Sequence, residues 1–150
     1  MSLWDNIGMV ILVFPMEEVE NPMEFKLEMD QVFGKQSRCE IVLTSKQSLK
    51  NQQLRELKGV TYVSEKEINF FGKLKNENLN ELLGKPFDTL FLSGTLTKQF
   101  EKLFSKAAIK NIIGLNSENK FIEINLQPKS SIPSEMVNFA KNTLSKITVK

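Results

Sequence analysis

"GKPFDTLFLSGTLTKQFEKLFSKAAIKNIIGL", Gly84 to Leu115, decides the fold. Pro86 introduces an apolar run, Phe87 to Ser93, of strand length. The polar turn Ser93-Gly94-Thr95 follows it. Leu96, Phe100, Leu103, Phe104 and Ala107 then recur at i, i+4, i+7, i+8 and i+11, one face of a helix. "KNIIGL" closes the unit as a second strand. Strand, helix, strand in this order is a βαβ unit, and it implies parallel pairing with a helix across the sheet face.

The pattern extends in both directions. "IGMVILVF", Ile7 to Phe14, is an unbroken apolar run, which suits a strand buried on both faces. Pro15 ends it. Asn21 before Pro22 predicts a helix start, Phe25, Met29, Val32 and Phe33 its inner face, and Gly34 its stop. "CEIVLTS", Cys39 to Ser45, reads as a second strand, and "SLKNQQLRELKG" as a helix ending at Gly59, with a thin face of Leu49, Leu54 and Leu57. "VTYV" is a third strand, and "NENLNELLG" a short helix. After the βαβ unit, "NSEN" reads as a hairpin turn into an alternating strand, "KFIEINL". A last helix opens at Ser130 to Ser134 and points Val137, Ala140, Leu144 and Ile147 inward. The expectation is one Rossmann-like three-layer α/β domain spanning residues 1–150. Its mostly parallel sheet has five or six strands, helices on both faces and an antiparallel last strand at an edge.

Composition bounds the chemistry. A chain of 150 residues can bury roughly two-thirds of its unfolded surface, enough for a core. No apolar run approaches the ~20 residues a membrane span needs, and no signal-peptide pattern opens the chain, so a cytoplasmic protein off the membrane is expected. Net charge is +2, and Arg38 and Arg55 are the only arginines. Scattered lysines and few arginines argue against nucleic acid as a partner. Cys39 is the single cysteine, so no internal disulfide can form, and burial as a small apolar residue is expected for it. The chain has no histidine. That removes Ser-His-Asp and Cys-His catalysis and His-ligated zinc, and leaves carboxylates, lysines and Tyr62 for any acid–base work. No cofactor or metal motif is present, and the chain leans away from enzymes.

Three short blocks carry a resemblance. Phe70-Phe71-Gly72-Lys73, then Pro86-Phe87-Asp88, then Ser105, Ala107, Lys110 and Gly114 resemble the successive blocks of a small uncharacterised bacterial family known chiefly from Bacteroidetes. The likeness runs from about Ile7 onward and implies a whole-chain α/β fold with no assigned activity. More weakly, the "FD-x-L" strand, the helix and the strand ending in Ile-Gly are similar to the N-terminal half of heptosyltransferase-type glycosyltransferases. That likeness implies a stand-alone relative of the acceptor-side half.

Candidate sites follow from position. Ser93, Gly94 and Thr95 end a central strand, and Thr44 and Ser45 end the second. Open α/β sheets bind ligands at that edge, and helix N-termini attract anions, so a nucleotide or sugar phosphate is one reading. The other is that these residues only cap helices. Glu17, Glu18 and Glu20 flank the same edge and read as a solvated acidic loop. Asp88 sits at the opposite end of its strand and reads as structural. Phe70 and Phe71 fall in an aperiodic stretch, where one ring could anchor a protein partner or a second copy of the chain.

Overall fold

The computed structural model describes residues 1–34, 38–50, 52–67 and 77–148. Six strands form one sheet: β1 (Met9–Pro15), β2 (Arg38–Ser45), β3 (Val60–Ser64), β4 (Thr89–Ser93), β5 (Asn111–Leu115) and β6 (Ile124–Leu126). The order across the sheet is β3-β2-β1-β4-β5-β6. Every pairing is parallel. Among the described residues the four α-helices are α1 (Pro22–Phe33), α2 (Glu77–Leu83), α3 (Lys98–Lys106) and α4 (Pro133–Leu144).

Two apolar clusters sandwich the sheet, because alternate residues of each strand face opposite ways. Val10, Leu12 and Phe14 meet Phe25 and Met29 of α1 and Val137 and Ala140 of α4 on the first face. Ile11, Val13, Leu90 and Leu92 meet Leu79 and Leu82 of α2 and Phe100 and Phe104 of α3 on the second. This is the expected α/β sheet with helices on both faces. Among the described residues no helix is long and apolar enough to cross a membrane.

Local signals set α1. Asn21 Oδ1 accepts from the Glu24 N–H at 3.1 Å, Pro22 opens the helix, and Gly34 closes it at φ +73°. At the chain ends, the Leu3 N–H donates to the Ile147 carbonyl at 2.7 Å. Trp4 stacks on Phe33 with ring centroids 4.9 Å apart, so the N-terminus is packed against the body.

Four expectations are corrected. Residues 46–59 hold no helix among those described; they form an irregular crossover from β2 to β3. Three leucines give too narrow a face to bury a helix there, and packing outweighs propensity. Helix α3 starts at Lys98, so Leu96 is buried just ahead of it. Ile147 lies beyond the end of α4 and is 40% exposed, while Met136 is buried in its place.

The fourth correction is the direction of β6, which is parallel to β5. Ile113 faces Ile124, and Leu115 faces Leu126, so the chain must climb back only two residue positions. That is about 7 Å, a span that residues 116–123 cover without a helix. Asn116 turns the chain at φ +56°, and its N–H donates to the Leu126 carbonyl at 2.9 Å. Asn125 then clamps Ser117: its Oδ1 accepts the Ser117 N–H at 3.2 Å, and its Nδ2 donates to the Ser117 carbonyl at 2.8 Å. Gly114 leaves room for this clamp, since a Cβ there would stand 2.7 Å from Asn125 Oδ1.

Candidate functional site

The strand order reverses between β1 and β4: the chain leaves β1 to build toward β3, then returns to place β4 on the other side. Neighbouring loops diverge at such a switch point and leave a crevice beyond the strands' C-terminal ends. A cleft of about 440 Å³ lies there. Thr44 and Ser45 from the end of β2, and Ser93, Gly94 and Thr95 from the end of β4, all line it. Two segments remote in sequence, each singled out for its hydroxyls, therefore meet in one cleft.

The turn after β4 does not cap a helix. The Ser93 hydroxyl donates to Glu18 Oε2 at 3.3 Å and lies 3.9 Å from the Met136 sulfur. Gly94 takes φ +76°, and its N–H points to the Leu115 carbonyl at 3.5 Å. Thr95 Oγ1 accepts from the Glu118 N–H at 3.4 Å. Ser45 Oγ accepts from the Gln47 N–H at 3.1 Å, a local turn and not a helix cap. Thr97 flanks α3, but its hydroxyl makes no capping bond and is buried with no partner among the described residues.

Electrostatics changes the anion expectation. Glu17, Glu18 and Glu65 line the cleft, against Lys46 as the one cation among the described residues. Burial raises the Glu18 carboxyl above the usual glutamate range; the Ser93 hydroxyl opposes this, and the charge of Glu17 adds to it. Burial also raises Glu65, and Lys46 pulls it back. The Leu96 N–H, at the cleft wall, is consumed by Asn119 Oδ1 at 2.7 Å. A phosphate here would meet carboxylates, and the Leu96 N–H is already engaged.

Partial desolvation disfavours the charged carboxylate, so Glu18, itself exposed at the cleft mouth, adds a modest pH dependence to stability. Its folded pKa exceeds its unfolded one, so the folded state holds the proton more tightly. Stability from this group is complete below the ordinary glutamate pKa and falls as pH rises through the higher folded value. Glu18→Gln is expected to melt with wild type in acid and above it at neutral pH. Parallel melting curves across that range check this, and equal melting temperatures at neutral pH would contradict it.

Sequence reasoning passed over Lys46, Glu65 and Asn119. Lys46 and Glu65 immediately follow β2 and β3, so the strand-end rule alone could have found them. Asn119 is 8% exposed and hidden in what reads as a simple turn. Phe70 and Phe71 lie outside the described residues. Asp88 is structural, at the far edge: its carboxylate accepts from the Gly8 and Met9 N–H groups. Cys39 is 5% exposed, and burial pushes its thiol up to about 12, which keeps it un-ionised and unreactive. Among the described residues no group of three or more Cys, Asp or Glu could hold a metal.

No curated protein and no solved structure gives a significant match to this chain. A family model described as a family of unknown function, DUF6913, matches residues 3–129, and the chain belongs to that family.

Proposed function

We propose that this chain is a small-ligand-binding protein whose site is the switch-point cleft, and that the ligand is rich in hydroxyl or amine groups and carries no net negative charge. One observation carries the reading: Thr44, Ser45, Ser93, Gly94 and Thr95 converge in one cleft with Glu17, Glu18 and Glu65. Hydroxyls and carboxylates together satisfy the donors of a polyol or an amino sugar, whereas a phosphate would be repelled. The strand order is that of Rossmann-type sheets, which bind ligands at this edge. The glycosyltransferase likeness, carried by short blocks alone, agrees with a sugar acceptor as the ligand. Binding is favoured over catalysis because the chain has no histidine to serve as a base near neutral pH.

A thermal-shift screen tests this with neutral sugars, polyols and amino sugars, set against nucleotides and sugar phosphates. A ligand at ~100 times its Kd adds about 2.7 kcal/mol of stability. Thr44→Val keeps a β-branched side chain and removes one hydroxyl, so it should weaken a true ligand about fivefold or more, the worth of one hydrogen bond, without lowering the melting temperature of the free protein. Stabilisation by phosphates alone overturns the ligand class. No response from any compound overturns the site.

A further inference from the structure

A second surface stands apart from that cleft, on the first sheet face. A groove of about 340 Å³ runs between the start of α1 and the start of α4. Its floor is apolar: Val19 and Phe25, 7% and 6% exposed, with Pro133 beside them. Its wall is Ile132, 55% exposed. The position of Ile132 is set by backbone bonds: its N–H donates to Ser130 Oγ at 3.1 Å, and its carbonyl accepts from the Met136 N–H at 2.9 Å. The apolar side chain is thus presented to solvent from a fixed support.

The rim is acidic on one side only. Glu20, Glu24 and Glu28 recur every fourth residue and line the groove, and no lysine or arginine among the described residues does. Helical spacing puts Glu24 above Glu28 on one stripe, with Glu20 just ahead of the helix. None of the three carboxylates has an ion-pair or side-chain hydrogen-bond partner among the described residues. Like charges at this spacing destabilise a helix unless something neutralises them. The chain as a whole is net +2, so the stripe does not follow from an acidic composition.

We infer that this groove is a docking site for a basic segment of a partner protein, one that carries lysine or arginine next to an apolar side chain. The apolar residue packs on Ile132 and the Val19–Phe25 floor, and the cation lies along the glutamate stripe. Charge complementarity selects this occupant, since nucleic acid and anionic membrane surfaces share the sign of the rim.

Fluorescence anisotropy of the full chain with a labelled peptide, Gly-Lys-Leu-Lys-Leu-Lys-Gly, tests the inference. Saturable binding is expected, and the counterpart with glutamate in place of lysine should not bind. Neutralising the rim with Glu20→Gln, Glu24→Gln and Glu28→Gln together should weaken the basic peptide about tenfold, and Ile132→Ser should weaken it independently. Glu77→Gln with Glu81→Gln, on α2 across the sheet, should leave it unchanged. No saturable binding, equal binding of both peptides, or an equal loss in the α2 control overturns the inference. Sedimentation of the free chain supplies a further arm: a dimer that dissociates on Ile132→Ser would assign the groove to a second copy and overturn the basic-segment partner.

Discussion

Asp88→Ala is expected to lower stability by about 3 kcal/mol, since hydrogen bonds to a charged group are worth about 1.5–3 kcal/mol each and the donors left behind are partly buried. The Asp88 carboxylate accepts from the Met9 N–H at 2.7 Å, from the Gly8 N–H at 3.1 Å and from the Thr89 hydroxyl at 2.7 Å. Its backbone bridges the same edge, with the N–H donating to the Met9 carbonyl at 3.0 Å and the carbonyl accepting from Asn111 at 2.8 Å. One residue thus ties the starts of β1, β4 and β5. Gly8 matters to this contact, because a Cβ there would come within 2.9 Å of Asp88 Oδ2. For a chain of this length, 3 kcal/mol is a melting-temperature loss of about 6–12 °C. Asp88→Asn should cost about 1 kcal/mol, because one amide oxygen can still receive both N–H groups while the amide nitrogen donates to the Thr89 hydroxyl. Chemical denaturation of both variants checks the ranking, and equal losses would contradict it. Ligand response at the cleft should survive Asp88→Ala below its melting temperature, since the residue lies at the opposite edge of the sheet. A selective loss of binding would instead return Asp88 to a functional role.

Legibility in the sequence followed the range of the physics. Helix α1 could be read to the residue because Asn21, Pro22 and Gly34 act within one turn of chain. The central strands β1 and β4 could be read because burial on both faces forces an unbroken apolar run. The direction of β6 could not be read this way. Alternation in "KFIEINL" marks an edge strand whichever way it runs. The parallel choice rests on Asn125 reaching Ser117 and on the space above Gly114, contacts that no local pattern announces. Residues 46–59 have acceptable helix formers, yet helix propensity is a weak prior beside three half-buried leucines. The cleft was half legible. Its hydroxyls were found from strand ends, and the anion preference followed from treating Ser93 to Thr95 as a helix start. Helix α3 begins later, at Lys98, so its N-terminus does not serve the turn, and carboxylates set the charge instead.

Asn119→Ala is expected to cost about 2–4 kcal/mol and to disturb the cleft without touching its ligand. Asn119 Oδ1 accepts from the Leu96 N–H at 2.7 Å, and its Nδ2 donates to the Leu96 carbonyl at 3.1 Å and to Glu101 Oε2 at 2.9 Å. A single side chain therefore stands in for a strand partner to Leu96 and holds the first turn of α3 through Glu101. Truncation leaves a buried N–H and a buried carbonyl short of partners, at about 1–3 kcal/mol each. Leu96 forms part of the cleft wall, so the β4 side of the site should loosen as well. Asn119→Asp separates the hydrogen bonds from the shape. The introduced carboxylate can still accept from Leu96, but it faces the Leu96 carbonyl and the Glu101 carboxylate with no proton to give. Its folded pKa is therefore raised, so the missing stability should return as pH falls through that value. The alanine variant has no such group and should show no extra recovery. Melting curves of the two variants from neutral to acid pH distinguish these outcomes. An Asn119→Asp variant as stable as wild type at neutral pH would show that volume, and not donor pairing to Leu96 and Glu101, is what this loop requires of residue 119.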